Sequence, residues 1–461
     1  MDKIQALISF RHLLALILTF LAASCAVAPE PEYGPIPDLI NFDQRVLSYV
    51  REDGPIMGES AHVNSAREFL SGHFSPWRRE APVHDSEEAF WGLRMVESGE
   101  FFGENKLPLG PEWVSEMRRK SDPESFPNAG RTALAAVNTS MRVLPTDKPA
   151  FYDFARAGEG FPFDMMQNSA VWAGTPLFIS HISADGAWYL AECRYAFGWI
   201  PVRDTALIDR NSAEALSTGP YVTPVKDRIP LHDWKGNYLF DLRIGQVLPA
   251  VARDADGYTI LVPVRDPDGI AGMVEAEVSA GHVDTWPLAP RRSMLAGLAD
   301  EMIGQPYGWG GLYKNRDCSS TIMDLFAAIG VSLPRNSKVQ AGAGEQIDLT
   351  GLEPDEKKRL VLERGEPFST LLSRPGHIML YIGEKRGEPM IFHTAWGIKT
   401  EISGREGRKI IGKTVVTSLS PGQGVKGLVR PEGVLLHKLS SITFIDSGSI
   451  GKTSRNDAMK D

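Results

Sequence analysis

The sequence has few cysteines and no excess of positive charge. Its 461 residues include three cysteines, which are too few and too scattered for a disulfide framework. Cys193 could in principle pair with Cys318, but the strand pattern around Cys193 favours burial of a free thiol. The formal net charge of −9 offers no basic surface for nucleic acid. We therefore expect neither a disulfide-stapled domain nor a nucleic-acid partner.

Long apolar runs are also rare, and the clearest one lies near the N-terminus. Basic residues flank and interrupt a stretch that becomes continuously apolar over Leu13–Leu21, which is too short for a confident membrane span. Small residues follow at 22–24, directly before Cys25. This order predicts a signal peptide over residues 1–25, and the end of it resembles the lipobox of bacterial lipoproteins. We expect an exported, periplasmic protein, either lipidated at Cys25 and anchored in the outer membrane or cleaved nearby in the ordinary way.

One cysteine is placed where a thiolate is easiest to form. Cys318 follows the glycine-rich segment 304–311 and opens a stretch whose apolar residues recur every three or four positions as far as Ile329. Gly330 then predicts the end of that helix. A helix N-terminus favours an anion and lowers the pKa of a cysteine there. The alternative is a small buried hydrophobic residue, because free cysteines are often structural.

Two histidines favour the nucleophile over that alternative. His377 opens a predicted strand after a Pro-Gly turn, and His393 lies in the next predicted strand. Taken alone, either histidine reads better as a structural residue. A cysteine peptidase, however, needs a thiol, a histidine as base and acid, and a third polar group that orients the imidazole.

Several short segments together form a specific pattern. They are Pro-Tyr-Gly-Trp-Gly-Gly at 306–311, Asp-Cys-Ser at 317–319, Gly-Val-Ser-Leu-Pro-Arg at 330–335, Gln340, Pro-Gly-His at 375–377 and Leu-Tyr-Ile-Gly at 380–383. This pattern resembles the NlpC/P60 family of cell-wall cysteine peptidases, which have a papain-like fold.

The resemblance implies roles for individual residues. Cys318 would be the nucleophile, His377 the general base and acid, and His393 the orienting group. The hydroxyl of Tyr307 and the backbone N–H groups of Cys318 and Ser319 would stabilise the oxyanion. No metal or organic cofactor is expected.

The sequence departs from the family pattern at three points. Ser320 stands where glycine is common, and the segment between the two histidines is longer than usual. Relatives specific for a free amine often carry aspartate where this chain has Asn336, which is followed by Ser337. Both are candidate substrate-binding residues. Asp164, in an aromatic and polar loop, could pair with a substrate ammonium group or could simply cap its loop.

Chain length suggests about three domains at roughly 150 residues each, and the segments preceding the catalytic region resemble a multi-domain branch of the family. The predicted fold class is α+β, with a helical N-terminal domain and two SH3-type β-barrels before a papain-like domain. In such relatives the first barrel closes the end of the cleft that receives the free amino terminus of the stem peptide. The predicted ranges are a signal peptide at 1–25, an N-terminal stabilising domain at 38–147, barrels at 148–212 and 218–285, the catalytic domain at 293–438 and a flexible tail at 439–461.

The expected function is hydrolysis of the γ-D-glutamyl–diamino acid bond in peptidoglycan stem peptides, with intact wall or released fragments as the partner. One alternative is an amidase or acyltransferase that uses the same site. Another is a non-catalytic wall-binding protein, since SH3-type barrels are binding modules. Retention of a helix-start thiol with two strand-borne histidines argues against a decayed site.

Overall fold

The computed structural model of the protein describes residues 34–156 and 158–445. The predicted signal peptide, Cys25 and the last sixteen positions, 446–461, lie outside the described residues. Within the described residues, no helix combines the length and apolarity needed to span a membrane.

Helices and turns form the first part of the described chain. The helix at Pro111–Ser121 shows how local sequence sets a helix boundary. It begins at Pro111, which suits the first turn, and Glu112 near its start and the basic run at 118–120 near its end complement the helix dipole. The helices are α1 (Pro37–Asn41), α2 (Glu59–His73), α3 (Ser86–Ala89), α4 (Trp91–Ser98) and α5 (Pro111–Ser121).

A seven-stranded antiparallel sheet follows, with strand order β3-β2-β6-β5-β4-β1-β7. Its strands are β1 (Arg131–Ala135), β2 (Thr139–Arg142), β3 (Gln167–Val171), β4 (Pro176–Ile182), β5 (Trp188–Glu192), β6 (Phe197–Pro201) and β7 (Thr205–Leu207).

Two strands of this sheet lie within residues 38–147, which the sequence assigned to the helical N-terminal domain. β1 pairs with β4 and β7, and β2 pairs with β3 and β6. The alanine- and leucine-rich stretch around β1 has high helix propensity, and pairing with buried neighbours overrides that preference. The domain limits themselves remain predictions.

A short helix, α6 (Arg210–Leu216), leads into a five-stranded sheet of order β13-β12-β11-β8-β14 and a separate β9–β10 hairpin. The strands are β8 (Tyr221–Pro224), β9 (Ile229–His232), β10 (Tyr238–Leu242), β11 (Leu248–Arg253), β12 (Gly257–Arg265), β13 (Ala271–Ser279) and β14 (Val283–Thr285).

The C-terminal part packs helices on a six-stranded antiparallel sheet of order β15-β20-β16-β17-β18-β19. Its helices are α7 (Arg292–Met302), α8 (Cys318–Ala327), α9 (Ser337–Ala341), α10 (Pro354–Arg364) and α11 (Leu435–Lys438). Its strands are β15 (Glu345–Asp348), β16 (Thr370–Arg374), β17 (His377–Lys385), β18 (Glu388–Ile402), β19 (Arg405–Ser418) and β20 (Ser441–Phe444).

The helix that begins at Cys318 is at the centre of this domain. All ten residues of α8 are buried, and Ile322 and Phe326 pack with Ile378 and Leu380 of β17 in one hydrophobic core. Gly330, with φ +77°, follows the helix as predicted. The core therefore fixes the start of α8 beside the β17 strand.

The predicted flexible tail at 439–461 is wrong for its first residues. Strand β20 pairs with β15 on one side and β16 on the other, and Ile442 and Thr443 are fully buried. The tail's polar composition concealed a short strand whose apolar residues complete the sheet.

A buried ion network joins the two sheets to the C-terminal domain. The Arg316 guanidinium donates to both carboxylate oxygens of Asp227 at 2.9 Å and to Asp324 at 2.7 Å. The indole N–H of Trp172 donates to the same Asp324 at 3.0 Å. Trp172 follows β3, Asp227 precedes β9, and Asp324 lies in α8, so the network spans three regions of the chain.

Two glycines allow β3 to approach the segment before α8. Gly311 has φ +84°, and a Cβ there would lie 2.2 Å from the backbone nitrogen of Ala170. At Gly310 a Cβ would lie 2.4 Å from the carbonyl oxygen of Gln167, whose side chain also donates to the Gly310 carbonyl at 3.0 Å. The Gly-Gly pair is therefore required by backbone-to-backbone packing.

We expect Gly311→Ala to lower the free energy of unfolding by on the order of 3 kcal/mol, because it combines left-handed backbone strain with a steric clash. Gly304 provides a matched control, since it has φ +77° but a Cβ added there would meet no atom within 4 Å. Gly304→Ala should cost only about 1 kcal/mol. Thermal and denaturant unfolding of both variants measures the difference, and equal losses would show that the close approach contributes nothing.

Candidate active site

The start of α8 is built around a capped aspartate. Asp317 accepts the N–H of Ser320 at 2.9 Å, and the Ser320 hydroxyl accepts the N–H of Asp317, which forms a capping box. The Arg335 guanidinium pairs with the Asp317 carboxylate at 2.7 Å. Burial alone would raise the pKa of Asp317, but the Arg335 charge and the hydrogen bonds from Arg335 and Ser320 together lower it. The serine at 320, unusual for the family, is therefore part of the cap.

The Cys318 thiol lies just inside the protein surface at 8% exposure and is a free cysteine, as is the buried Cys193. The prediction that the helix terminus lowers the Cys318 pKa is wrong for this structure. Burial, with the nearby Asp317 charge, raises the pKa of Cys318 to about 12. The backbone N–H groups of Ile378 and Ser319 and the Arg335 charge act in the opposite direction. Hence the resting thiol is neutral, and attack requires a base beside it.

His377 and His393 form a direct pair on neighbouring strands. The His377 Nε2 lies 2.8 Å from the His393 Nδ1. Burial, together with the Arg374 charge, lowers the pKa of His377 to about 3, and burial lowers the pKa of His393 well below its usual value. Both rings are therefore neutral near pH 7. Because His377 Nε2 is occupied by His393, Nδ1 is the nitrogen that can serve the thiol.

The thiol and the histidine pair meet at the first residues of β17. The backbone N–H of Ile378, the residue directly after His377, lies close enough to the Cys318 sulfur to lower the pKa of the thiol. This places the predicted nucleophile beside the strand that carries the predicted base. The structure thus brings Cys318, His377 and His393 together.

Burial raises the pKa of Tyr307 well above its usual value, and the nearby Cys318 acts in the same direction. Its backbone N–H donates to the Gly412 carbonyl in β19 at 2.9 Å. The cap of α8 uses the N–H of Ser320 and leaves those of Cys318 and Ser319 outside it. The Ser319 hydroxyl donates to Asp317 and accepts from Arg335, so its side chain is structural.

Aromatic contacts connect the loop between β2 and β3 to this site. Phe163 lies 5.2 Å from Trp309 and 6.3 Å from Tyr307, measured between ring centroids. Its third neighbour, Trp396 in β18, lies 6.1 Å away. We refer to Phe163, Tyr307, Trp309 and Trp396 as the aromatic cluster. It brings the loop at 160–164 against the C-terminal domain beside Cys318.

Asp164, in the same loop, is not placed to bind a substrate ammonium. It is 1% exposed and pairs with Arg142 at 2.7 Å. Its other carboxylate oxygen accepts the N–H groups of Ala150 and Met166. Arg142 neutralises the charge of Asp164 inside the protein. Asp164 therefore caps its own loop, which was the second of the two roles predicted for it.

The segment after α8 reaches the site through Arg335. Arg335 also donates to Ser169 of β3 at 3.0 Å, and Gln340 donates to the Ser319 carbonyl at 2.8 Å. The following Asn336 is exposed and caps α9 by accepting the N–H of Lys338, and Ser337 begins that helix. Arg335 lies in one of the sequence motifs, but the sequence alone assigned it no role. A buried aspartate next to Cys318 requires a cation, and that requirement was the signal for Arg335.

Family models account for most of the described chain. Residues 304–408 match the NlpC/P60 family. The chain belongs to the NlpC/P60 family. The other matches are the N-terminal stabilising domain of NlpC/P60 proteins at 12–126, an SH3 domain of the SH3b1 type at 149–201 and an SH3 domain of the SH3b2 type at 209–255.

Solved and curated relatives agree with this membership. An NlpC/P60 endopeptidase from Photobacterium damselae subsp. piscicida superposes with a TM-score of 0.77 at 25% identity, over 87% of this chain and 97% of that one. The γ-D-glutamyl-L-lysine dipeptidyl-peptidase of Bacillus subtilis is 26% identical over 37% of this chain and 53% of its own length. A protein named "Probable endopeptidase" from Mycobacterium bovis is 28% identical over 24% of this chain. The chain spans about a quarter of that mycobacterial protein, 26% of its length.

These findings confirm the predicted family and the α+β architecture of a helical N-terminal domain, two SH3b domains and an NlpC/P60 domain. The roles of individual site residues remain predictions.

Proposed function

We propose that this NlpC/P60 protein is a cysteine endopeptidase that cuts the γ-D-glutamyl–diamino acid bond of peptidoglycan stem peptides. The observation that carries the proposal is the junction of the Cys318 thiol with the His377–His393 pair at the start of β17. The bond is suggested by the printed name of the Bacillus subtilis relative. We further propose an exported location, since the substrate lies outside the cytoplasm.

The geometry supports an acyl-enzyme mechanism. As the Cys318 sulfur attacks the γ-carbonyl of D-glutamate, its proton passes to Nδ1 of His377. In the proposed mechanism, the Tyr307 hydroxyl and the N–H groups at the start of α8 stabilise the negative charge that develops on the carbonyl oxygen. His377 then protonates the leaving amine of the diamino acid. Water, deprotonated by His377, releases the D-glutamyl product and restores the thiol.

The SH3b1 domain supports a preference for short stem peptides over intact wall. Its Phe163 lies in the aromatic cluster, and its Gln167 and Ala170 lie against the glycine pair before α8. We propose that this contact closes one end of the substrate cleft, which would limit how far a substrate extends in that direction. The substrate's amino end would lie there.

Mass spectrometry of defined peptides tests the proposed bond. The full chain would be incubated with L-Ala-γ-D-Glu-diaminopimelate, with its lysine counterpart and with an N-acetylated form of each. Release of the free diamino acid together with L-Ala-D-Glu supports the proposal. Release of acetate from the N-acetylated peptides would indicate an amidase, transfer to an added amine would indicate an acyltransferase, and binding to wall without cleavage would indicate a wall-binding protein.

We expect Asn336→Asp to sharpen the preference for a free amino terminus. Aspartate keeps the helix cap and adds a charge near the nucleophile helix that an ammonium group can pair with. The ratio of kcat/KM for free over acetylated tripeptide should rise about tenfold. Asn336→Ser is the matched control, since serine caps the helix without a charge. Identical ratios in all three proteins would show that position 336 does not contact the amine.

A further inference from the structure

A polar row runs across three neighbouring strands of the C-terminal sheet. The register pairs Leu380 with Phe392 and His393 with Val415. His377, His393 and Thr417 are therefore diagonal neighbours on β17, β18 and β19, two residues from the directly opposed position in each case. The His393 Nε2 lies 3.0 Å from the Thr417 hydroxyl oxygen. The row thus extends the catalytic pair by one more residue.

The hydroxyl proton of Thr417 is already committed. The O–H of Thr417 donates to the carbonyl oxygen of Ser418 at 2.8 Å, and a carbonyl oxygen can only accept. A hydroxyl has one proton, so toward His393 the Thr417 oxygen must accept. The His393 Nε2 therefore carries a hydrogen.

The remaining protons follow from this assignment. A neutral imidazole has one N–H and one lone pair, so the Nδ1 of His393 is an acceptor. The His377 Nε2, 2.8 Å away, must then be the donor. This leaves Nδ1 of His377 with its lone pair free. That is the form in which it can take the proton of Cys318.

We propose that Thr417 is a positioning residue that fixes the tautomers of both imidazoles and so keeps His377 ready to act as the base. The inference rests on the proposed peptidase activity for its kinetic consequence, whereas the tautomers themselves do not depend on any substrate. Thr417 contacts no reacting atom and acts through His393.

The surroundings make this assignment exclusive. Thr417 and His393 are 0% and 1% exposed, so bulk water does not compete for their hydrogen bonds. The strand end that supplies the accepting carbonyl is held from outside the sheet. Asp38 of α1 accepts both the N–H and the hydroxyl of Ser418 at 2.7 Å. The N-terminal region thereby fixes the residue on which the Thr417 hydroxyl depends.

Two substitutions separate the hydroxyl from the shape of the side chain. Thr417→Val removes the hydroxyl at similar size, and Thr417→Ser retains it. In the full-length protein we expect Thr417→Val to lower kcat on the tripeptide by on the order of 10- to 100-fold with little change in KM. Thr417→Ser should stay within about threefold of the unsubstituted protein.

Nitrogen NMR of protein labelled with ¹⁵N-histidine measures the tautomers directly. The His377 and His393 signals can be assigned by their loss in variants of each. We expect an Nε2–H form for both residues in the unsubstituted protein and in Thr417→Ser, and a changed or mixed pattern for His393 in Thr417→Val.

The outcomes distinguish the inference from the proposed function. An Nδ1–H form of His393 in the unsubstituted protein would overturn the inference, as would unchanged turnover in Thr417→Val. Equal damage by valine and serine would also overturn it, because it would assign Thr417 a purely packing role. If no γ-D-glutamyl peptide is cut but both rings show the Nε2–H form, the proposed function fails and the tautomer assignment stands.

Discussion

Cys318→Ala is expected to abolish peptide cleavage, with kcat/KM falling by at least about 10⁴-fold. The reason is that no other described cysteine lies near the histidine pair, and a neutral, buried thiol has no substitute for forming the acyl-enzyme. The melting temperature should change little. The substitution removes one sulfur atom from the edge of the core and leaves the cap made by Asp317 in place.

The matched control is Cys193→Ala. Cys193 is also buried and free, but it lies after β5 in the SH3b1 domain. Its replacement should leave turnover intact. Residual activity in Cys318→Ala that exceeds background, with a folded protein confirmed by thermal unfolding, would contradict the nucleophile assignment.

His377→Ala should eliminate turnover, whereas His393→Ala should retain a measurable fraction of it. Removing His377 removes the base itself. Removing His393 leaves the base in place but takes away the partner of the His377 Nε2. The His377 ring then loses both its orientation and its tautomer preference, at a cost on the order of 10²- to 10³-fold in kcat. Steady-state kinetics on the same tripeptide measure both.

An exposed histidine provides the control for this pair. His232 lies on β9 of the second SH3b domain, and His232→Ala should be kinetically silent. Complete and equal loss in His377→Ala and His393→Ala, together with a large drop in melting temperature, would instead identify His393 as a structural residue of the core.

Which residues meet at the candidate site was largely predictable, because these residues lie in short motifs. Cys318 at a helix start and histidines at the beginning of one strand and within the next are local features, and local patterns survive into the fold. The sequence also showed that Asn336 differs from relatives that bind a free amine. What it could not show was the pKa of Cys318, because burial is a property of the assembled domain and here outweighs the helix terminus.

Other errors have the same origin in long-range contacts. Asp164 reads as a free loop carboxylate until Arg142, twenty-two positions earlier, is seen to neutralise it. Strand β20 follows a polar tail and is recognisable only from its partners β15 and β16. Thr417 belongs to no motif, because its role comes from strand register. Sequence periodicity predicts individual helices and strands. The Asp164 ion pair, the pairing of β20 and the position of Thr417 depend on which helices and strands come into contact.

The buried network around Arg316 has a consequence for how this architecture evolves. Proteins with several domains are often regarded as modular, with each domain free to be exchanged or lost. Here an isolated NlpC/P60 domain would leave Arg316 without Asp227, and the Asp324 carboxylate would lose the Trp172 indole. Arg316 and Asp324 would still pair with each other, but beneath a replacement domain that lacks Asp227 the guanidinium would stay buried without one of its two carboxylates. Losing one partner of a buried ion pair costs about 3–5 kcal/mol. Recombination that replaced either SH3b domain would have to supply matching partners, so the three domains are expected to be inherited as one unit.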